Sequence, residues 1–308
     1  ISTKLKDPSL QMILLYLTTL SVLLGCSCAF ATRSFIGSHN TLYRQNRSLG
    51  SERLSELRGG NDADLIKKDE NIEFFTLQGG MCPYAARTLI VLHELGLQFD
   101  TVEVSGRPKP DWYLEINPRG KVPAIRVPSD KNTIVYESAI CDEYLCDYYD
   151  LSVGGDRNLM PRAPSERANI RLLNDHYDTV VGPAQFTFLM NKDSEKDEEL
   201  ENAMEKSLDV YEETLKNSGG PFLIGESFTL ADVHILPFVL RLIVSLRHFK
   251  SYELPRKRYP LLLRWYELCS ARKSVQEAAR SEERIIEVYK MFVERDYAFG
   301  GLNKNGKT

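Results

Sequence analysis

The chain has 308 residues, of which 43% are hydrophobic and 27% are charged, a composition typical of a folded globular protein rather than a disordered one. Its 39 Lys and Arg residues and 43 Asp and Glu residues give a formal net charge of −4, so it lacks the basic surplus usual in proteins that bind nucleic acids. Six cysteines, with no CxxC pair and no HExxH sequence, do not support a disulfide scaffold or a zinc site. We therefore expect neither nucleic acid nor metal as a ligand.

The N-terminal segment has the features of a targeting sequence. An apolar run at residues 13–24 is followed by small residues at 25–29, which is the pattern of a secretory signal peptide. A permanent membrane anchor is the competing interpretation, but the run is shorter than the roughly 20 apolar residues that a membrane-spanning helix needs. We expect no stable membrane anchor after processing.

Residues 31–50 contain three Arg, several Ser and no acidic residue, which is the composition of a transit peptide. The sequence Cys-Ala-Phe-Ala-Thr at 28–32 resembles the Ala-Phe-Ala junction of bipartite plastid presequences in algae with complex plastids. We interpret residues 1–60 as a signal and transit presequence with a linker, and we expect import into a plastid. A protein of the secretory pathway or endomembranes is the alternative.

The pattern after residue 70 predicts a small mixed domain. A helix is predicted between two strands, because Pro83 suits the first position of a helix and Gly96 suits the position just past its end. The predicted elements are a strand at 72–77, the helix at 83–95, a strand at 98–104, a hairpin at 122–127 and 133–136, and a helix at 138–149. This order, βαβ then ββα, fits a thioredoxin-like domain over residues 71–150.

No strand pattern is found after residue 150, and apolar residues instead recur at helical spacing as far as residue 293. The predicted helices cover residues 164–190, 195–217, 231–246, 260–270 and 281–293. Thr229 and Asp232 have the Thr-x-x-Asp spacing of a capping box at a helix start. We therefore predict an α+β protein, in which the thioredoxin-like domain is followed by an all-α domain over residues 160–295.

Cys82 lies between a predicted strand end and a predicted helix start. Such a position offers unpaired N–H groups and the positive end of the helix dipole, which lower the pKa of a thiol. The residue one turn further on is Ala85 rather than a second cysteine, so an outside thiol must resolve any mixed disulfide formed at Cys82. At this point an inert helix-capping cysteine stays an open alternative. Cys141 and Cys146 are predicted to be core residues.

Five motifs resemble, in order, those of the cysteine-type glutathione transferases of the omega and lambda classes. They are Cys-Pro-Tyr-Ala at 82–85, Lys-Pro-Asp-Trp at 109–112, Asn-Pro-Arg-Gly-Lys-Val-Pro at 117–123, Tyr-Glu-Ser-Ala-Ile at 136–140 and Thr-Leu-Ala-Asp at 229–232. The resemblance covers about residues 72–293. It implies the glutathione transferase fold, glutathione as co-substrate, no metal, and a monomer or a homodimer.

The resemblance also implies a set of site residues, which are Cys82, Lys109, Val122, Pro123, Glu137 and Ser138. A cis bond before Pro123 would present the backbone of Val122 to the peptide, and cis bonds are essentially confined to proline. Glu137 would hold the ammonium group of glutathione, and Ser138 at a helix start would hold the γ-glutamyl carboxylate. Lys109 would meet the glycine carboxylate. A solvated Lys109 and ordinary helix-start roles for Glu137 and Ser138 stay open as alternatives.

These roles predict a glutathione-dependent thiol transferase or reductase. Candidate substrates are dehydroascorbate, small mixed disulfides of glutathione, and glutathionyl adducts of quinones or flavonoids. Two alternatives are a non-catalytic carrier of glutathione adducts or hydrophobic ligands and a channel-like relative, although Arg87, His93 and Glu94 in the first helix disfavour membrane insertion. The pocket for the second substrate is expected around His176, Tyr177, Phe186 and Trp265.

Overall fold

The computed structural model describes residues 71–105, 108–150 and 159–295. The predicted presequence and linker, residues 1–60, lie outside the described residues. Within these three ranges, no helix combines the length and apolar character needed to cross a bilayer.

The first part of the described chain is built on a four-stranded mixed sheet with the strand order β2-β1-β3-β4. Strand β1 runs parallel to β2, and β3 runs antiparallel to both β1 and β4. The elements are β1 (Ile72–Leu77), α1 (Pro83–Leu95), β2 (Phe99–Val104), α2 (Asp111–Ile116), β3 (Ala124–Val127), β4 (Thr133–Tyr136) and α3 (Ser138–Leu145), which a π-helical turn (Cys146–Asp150) extends. The predicted thioredoxin-like domain is confirmed.

The alternation of side chains along β1 gives the sheet two apolar faces. Phe74 packs into the main core, together with residues of α1, α3 and the helical part of the chain. Phe75 lies on the other face, where Val104, Tyr113 and Ala124 form a smaller cluster under α2. Helices therefore cover both faces of the sheet.

The second part of the described chain is helical, as predicted. Its helices are α4 (Pro164–His176), α5 (Gly182–Met190), α6 (Asp197–Asn217), α7 (Leu230–Lys250), α8 (Pro260–Ser270), α9 (Lys273–Ala278) and α10 (Glu282–Arg295). Helical backbone runs over 164–190 as predicted, with a π-helical turn (Tyr177–Val181) between α4 and α5. Pro183 has no N–H to donate back to residue 179, so the regular ladder cannot run through this point.

Helix α7 starts with the predicted capping box. The Thr229 side chain accepts from the backbone N–H of Ala231, and the Asp232 carboxylate accepts from the backbone N–H of Thr229 at 2.8 Å. Asp232 also accepts from the backbone N–H of Leu223 at 3.0 Å and from the indole N–H of Trp265 at 2.7 Å. One buried carboxylate therefore ties the preceding loop and α8 to the start of α7.

Helix α1 connects the thioredoxin-like domain to the helical domain. Near its end, Glu94 accepts two hydrogen bonds from the guanidinium of Arg272, at 2.8 and 2.7 Å, and one from the hydroxyl of Ser274. Such a bidentate pair fixes orientation as well as distance. The helix that begins at Cys82 is thus held rigidly against the C-terminal helices.

A buried carboxyl group, Asp142, links α3 to α1. The hydroxyl of Thr88 donates to Asp142 Oδ1 at 2.7 Å. Burial raises the pKa of Asp142 to about 7, although the Thr88 hydroxyl and the charge of Arg87 act in the lowering direction. Because an unfolded aspartate has a pKa near 3.9, ionisation is unfavourable in the fold, and this destabilisation grows from about pH 4 to about pH 7.

We expect Asp142→Asn to remove this pH dependence, because the amide keeps an acceptor for Thr88 and does not titrate. Between about pH 5 and pH 8, the wild type should lose about 2–3 kcal/mol more unfolding free energy than the variant. Urea denaturation at both pH values measures the difference. Asp175→Asn, at an exposed position, is the control, and parallel pH profiles for wild type and Asp142→Asn would contradict the expectation.

Candidate active site

Cys82 occupies the N-cap position of α1, with extended backbone angles (φ −70°, ψ 118°) and Pro83 as the first helical residue. The chain arrives from β1 through a 3₁₀ turn in which Gly79 and Gly80 have φ of 72° and 63°, a region that favours glycine. The Cys82 side chain is partly buried, and its Sγ donates to the Val122 carbonyl at 3.7 Å. The thiol therefore lies beside the loop that precedes β3.

The predicted lowering of the Cys82 pKa is wrong. Burial raises the pKa of this thiol, and this effect outweighs the opposing contributions of the backbone N–H groups of Ala85 and Tyr84 and of the charges of Arg241 and Arg87. The helix-start effect is therefore present, but desolvation of the charged form is larger. At neutral pH the resting form is the thiol.

The other described cysteines are less accessible than Cys82. Cys141, Cys146 and Cys269 are all buried, which confirms the prediction of core positions for the first two. Burial also raises the pKa of both Cys141 and Cys269. Of the cysteines between residues 71 and 295 that the structure describes, Cys82 is therefore the most exposed.

The bond between Val122 and Pro123 is cis, as predicted. The carbonyl of the preceding residue, Lys121, accepts from the Tyr113 hydroxyl at 2.5 Å and from the Asn117 side-chain amide at 2.7 Å. Asn117 is fully buried, so its amide is a fixed support for the loop. The Val122 backbone is thereby held next to Cys82.

Glu137 and Ser138 form the junction between β4 and α3. Glu137 has a positive φ of 71°, an uncommon conformation for a residue with a side chain, and such outliers concentrate at functional sites. Its carboxylate accepts from Arg119 at 2.7 Å. Ser138 is the first residue of α3, is 6% exposed, and accepts a hydrogen bond from Arg87 of α1. The junction is thus connected to both the 117–123 loop and α1.

Lys109 lies just before α2, where its Nζ donates to the Val104 carbonyl at 3.1 Å. Its aliphatic stem also lies against Gly120, in the same loop as Val122. The structure therefore brings Lys109 to the edge of this loop. Its proposed contact with the glycine carboxylate stays a prediction.

The prediction that Tyr177 and Trp265 line a substrate pocket is wrong. Both side chains are 1% exposed, and their polar atoms bond within the core, the Tyr177 hydroxyl to Gln185 and the Trp265 indole to Asp232. The roles of His176 and Phe186 stay predictions. A cavity of about 170 Å³ does lie between the domains, and its lining includes Ala86, Ile90, Arg241, Tyr266, Arg280 and Ile285.

The sequence interpretation missed Arg241, which lies next to the cysteine loop. This residue of α7 is 3% exposed and donates to the Met81 carbonyl at 3.2 Å and to the Pro237 carbonyl at 2.7 Å. Its positive charge lies close enough to favour the Cys82 thiolate. The signal in the sequence was an arginine within the otherwise apolar run at residues 235–244 of α7.

Comparison with known proteins gives matches over both domains. Residues 81–147 match the family described as "Glutathione S-transferase, N-terminal domain", and residues 176–273 match "Glutathione S-transferase, C-terminal domain". The structure also resembles that of glutathione transferase Omega 3C from Trametes versicolor, with a TM-score of 0.64 and 26% identity over 77% of this chain and 97% of the other.

Two curated relatives extend this result. Pyrimidodiazepine synthase of Drosophila melanogaster is 29% identical over 213 residues, which cover 68% of this chain and 82% of the relative. Glutathione S-transferase DHAR2 of Arabidopsis thaliana is 30% identical over 176 residues, which cover 57% of this chain and 74% of the relative. With the fold, both domain matches and these relatives in agreement, the chain belongs to the glutathione S-transferase family.

Proposed function

We propose that this protein is a glutathione-dependent thiol transferase in which Cys82 is the nucleophile. The observation that carries the proposal is the position of Cys82, which is partly exposed at the start of α1 and lies against the Val122 carbonyl beside the cis bond. Ala85 stands where a dithiol enzyme carries its second cysteine. Similarity to an omega-class transferase and to a DHAR2 protein agrees with this chemistry.

The reaction has two thiol–disulfide exchanges. The Cys82 thiol first loses its proton to solvent, and the thiolate attacks the glutathionyl sulfur of a mixed disulfide. The substrate leaves as a thiolate, takes up a proton, and Cys82 is left in a disulfide with glutathione. The thiolate of a second glutathione then attacks the glutathionyl sulfur, which releases oxidised glutathione and restores Cys82. The positive charges of Arg241 and Arg87 favour the Cys82 thiolate, which attacks in the first exchange and leaves in the second.

The surrounding residues supply a peptide-binding site. The Val122 backbone would pair with the cysteinyl unit of glutathione, in the manner of an added strand. Glu137 would take the ammonium group in place of its present partner Arg119. Ser138 would take the γ-glutamyl carboxylate, and Lys109 would take the glycine carboxylate. Dehydroascorbate, small glutathione mixed disulfides and glutathionyl adducts are the substrate classes that we propose.

An adduct experiment tests the proposal. Incubation with oxidised glutathione should add one glutathione at Cys82, and reduced glutathione should remove it. Peptide mass spectrometry locates the adduct among the cysteines. An adduct that appears mainly on Cys141, Cys146 or Cys269 would make Cys82 a structural helix cap and favour the carrier alternative.

The pH dependence of Cys82 reactivity is a second prediction. Because burial raises the pKa of this thiol, the thiolate fraction should keep rising with pH through neutrality. We expect the rate of Cys82 alkylation by iodoacetamide to rise about tenfold per pH unit from pH 6 to pH 8, since only the thiolate reacts. Cys82→Ser gives the background rate. A rate that levels off below pH 7 would show a low pKa and contradict the expectation.

We further propose that residues 1–60 direct the protein into a plastid. The proposal rests on the apolar run at 13–24 and on the Arg- and Ser-rich, acid-free segment at 31–50. Fusion of residues 1–60 to a fluorescent protein, expressed in an alga with a complex plastid, should place fluorescence inside the plastid. Fluorescence in the endomembranes or the medium would favour the secretory alternative.

A further inference from the structure

Arg87 is a buried cation that joins the two domains beneath the site. It lies on α1, five residues after Cys82, and is 1% exposed. Its Nε donates to the His234 carbonyl at 2.7 Å, one Nη donates to Ser138 Oγ at 3.3 Å, and the other donates to Asp178 Oδ1 at 2.9 Å. The aromatic rings of Tyr84 and Phe238 lie 5.1 and 4.6 Å from the guanidinium carbon. The Arg87 guanidinium therefore has hydrogen-bond acceptors at all three of its nitrogens and aromatic rings packed against it.

The helical domain supplies the counter-charge. Asp178 lies in the π-helical turn that joins α4 to α5, and its second oxygen, Oδ2, is 3.0 Å from His234 Nε2. Although burial acts in the raising direction, the neighbouring His234 imidazole and the charge of Arg87 lower the pKa of Asp178 to about 2. Burial lowers the pKa of His234 to about 4, and the Arg87 charge adds to that effect. At neutral pH the cluster therefore holds one positive and one negative charge.

The contact with Arg87 determines what Ser138 can offer to a ligand. A guanidinium group has only donors, so the Ser138 oxygen must accept in this hydrogen bond. The hydroxyl hydrogen then remains to be donated to another group. An acceptor-only group such as a carboxylate is the complementary partner, and the nearby positive charge favours it further.

We propose that Arg87 is a positioning residue for a carboxylate subsite at Ser138, and that Asp178 and His234 hold Arg87 in place from the helical domain. This inference rests on the proposed function, since it takes the carboxylate to be the α-carboxylate of the γ-glutamyl unit of glutathione. Its consequence is that the helical domain contributes to glutathione affinity through Arg87, which Asp178 contacts and which in turn contacts Ser138.

The test compares two ligands by isothermal titration calorimetry. One is glutathione, and the other is 4-aminobutyryl-cysteinyl-glycine, which lacks only the α-carboxylate. Wild type should bind glutathione at least about tenfold more tightly than the analogue, and Asp178→Asn should lose roughly tenfold in affinity for glutathione and little for the analogue. Asp178 is partly exposed, so this variant should fold. Arg87→Lys keeps the charge but not the three-way geometry, and should show the same selective loss.

Arg171→Gln is the matched control, because Arg171 pairs with Glu143 and so also links α4 to α3, without contact to Ser138. It should leave both affinities unchanged. Equal weakening of both ligands in Asp178→Asn, or no change in either, would overturn the role of Arg87. If wild type fails to prefer glutathione over the analogue, the carboxylate assignment of Ser138 fails and this inference with it. The role of Cys82 is decided separately, by the adduct experiment.

Discussion

Replacing Cys82 with serine is expected to abolish glutathione-dependent thiol transfer, with a loss in rate on the order of 10³-fold or more. A serine hydroxyl cannot form the mixed disulfide, and Ala85 leaves no second thiol one turn along α1 to take over. We expect the serine variant to gain weak conjugating activity, because its hydroxyl can donate a hydrogen bond to the thiolate of bound glutathione. Steady-state assays with a glutathione mixed disulfide and with an aromatic electrophile measure the two activities.

Two further variants make the result specific to the thiol. Cys82→Ala should lose both activities and keep glutathione binding, which the Val122 backbone, Glu137 and Ser138 would supply. Cys269→Ala, at a buried cysteine in α8, should keep thiol transfer. Retention of thiol transfer in the serine variant would remove Cys82 from the mechanism.

Replacing Asp232 with alanine is expected to lower the unfolding free energy by about 4 kcal/mol or more, because it leaves several buried donors unpaired at once. Its two oxygens accept from the backbone N–H groups of Leu223 and Thr229, the hydroxyl of Thr229 and the indole N–H of Trp265. These hydrogen bonds join the loop before α7 and helix α8 to the start of α7. Urea denaturation followed by circular dichroism measures the loss.

Asp232→Asn is the matched variant for this prediction. The amide keeps one oxygen for Leu223 and Trp265, but its NH₂ group then faces the donors of Thr229. We therefore expect a loss intermediate between those of wild type and Asp232→Ala. A change below about 1 kcal/mol in the alanine variant, within the range of ordinary surface substitutions, would show that water satisfies these donors.

The limits of several helices and strands were predicted to the residue where glycine, proline or a change in the apolar pattern marks them. Strand β1, helix α1 and strand β4 have the predicted limits, and α1 is bounded by Pro83 and Gly96 as expected. Helix α2 was missed, because six residues between Pro110 and Asn117 are too few to show a helical period. Helix α9, also six residues long, was missed for the same reason.

The candidate site likewise contains features that the local sequence predicts and features that depend on distant parts of the chain. The position of Cys82 at the start of α1 could be predicted from its immediate neighbours in sequence, and the cis bond before Pro123 was expected from the family resemblance. The contacts of Arg87 could not be predicted, because its partners Asp178 and His234 lie 91 and 147 residues further along the chain. The direction of the Cys82 pKa was mispredicted because burial depends on packing around Cys82, which the local sequence does not encode.

The raised pKa of Cys82 has a consequence for its reaction with oxidants. Hydrogen peroxide attacks thiolates and converts them through sulfenic acid to sulfinic and sulfonic acids, which glutathione cannot reduce. A thiol whose pKa is raised by burial presents little thiolate to peroxide at neutral pH. We therefore expect Cys82 to resist over-oxidation at neutral pH, and, in the mechanism that we propose, to attack disulfides more slowly than a cysteine with a low pKa would.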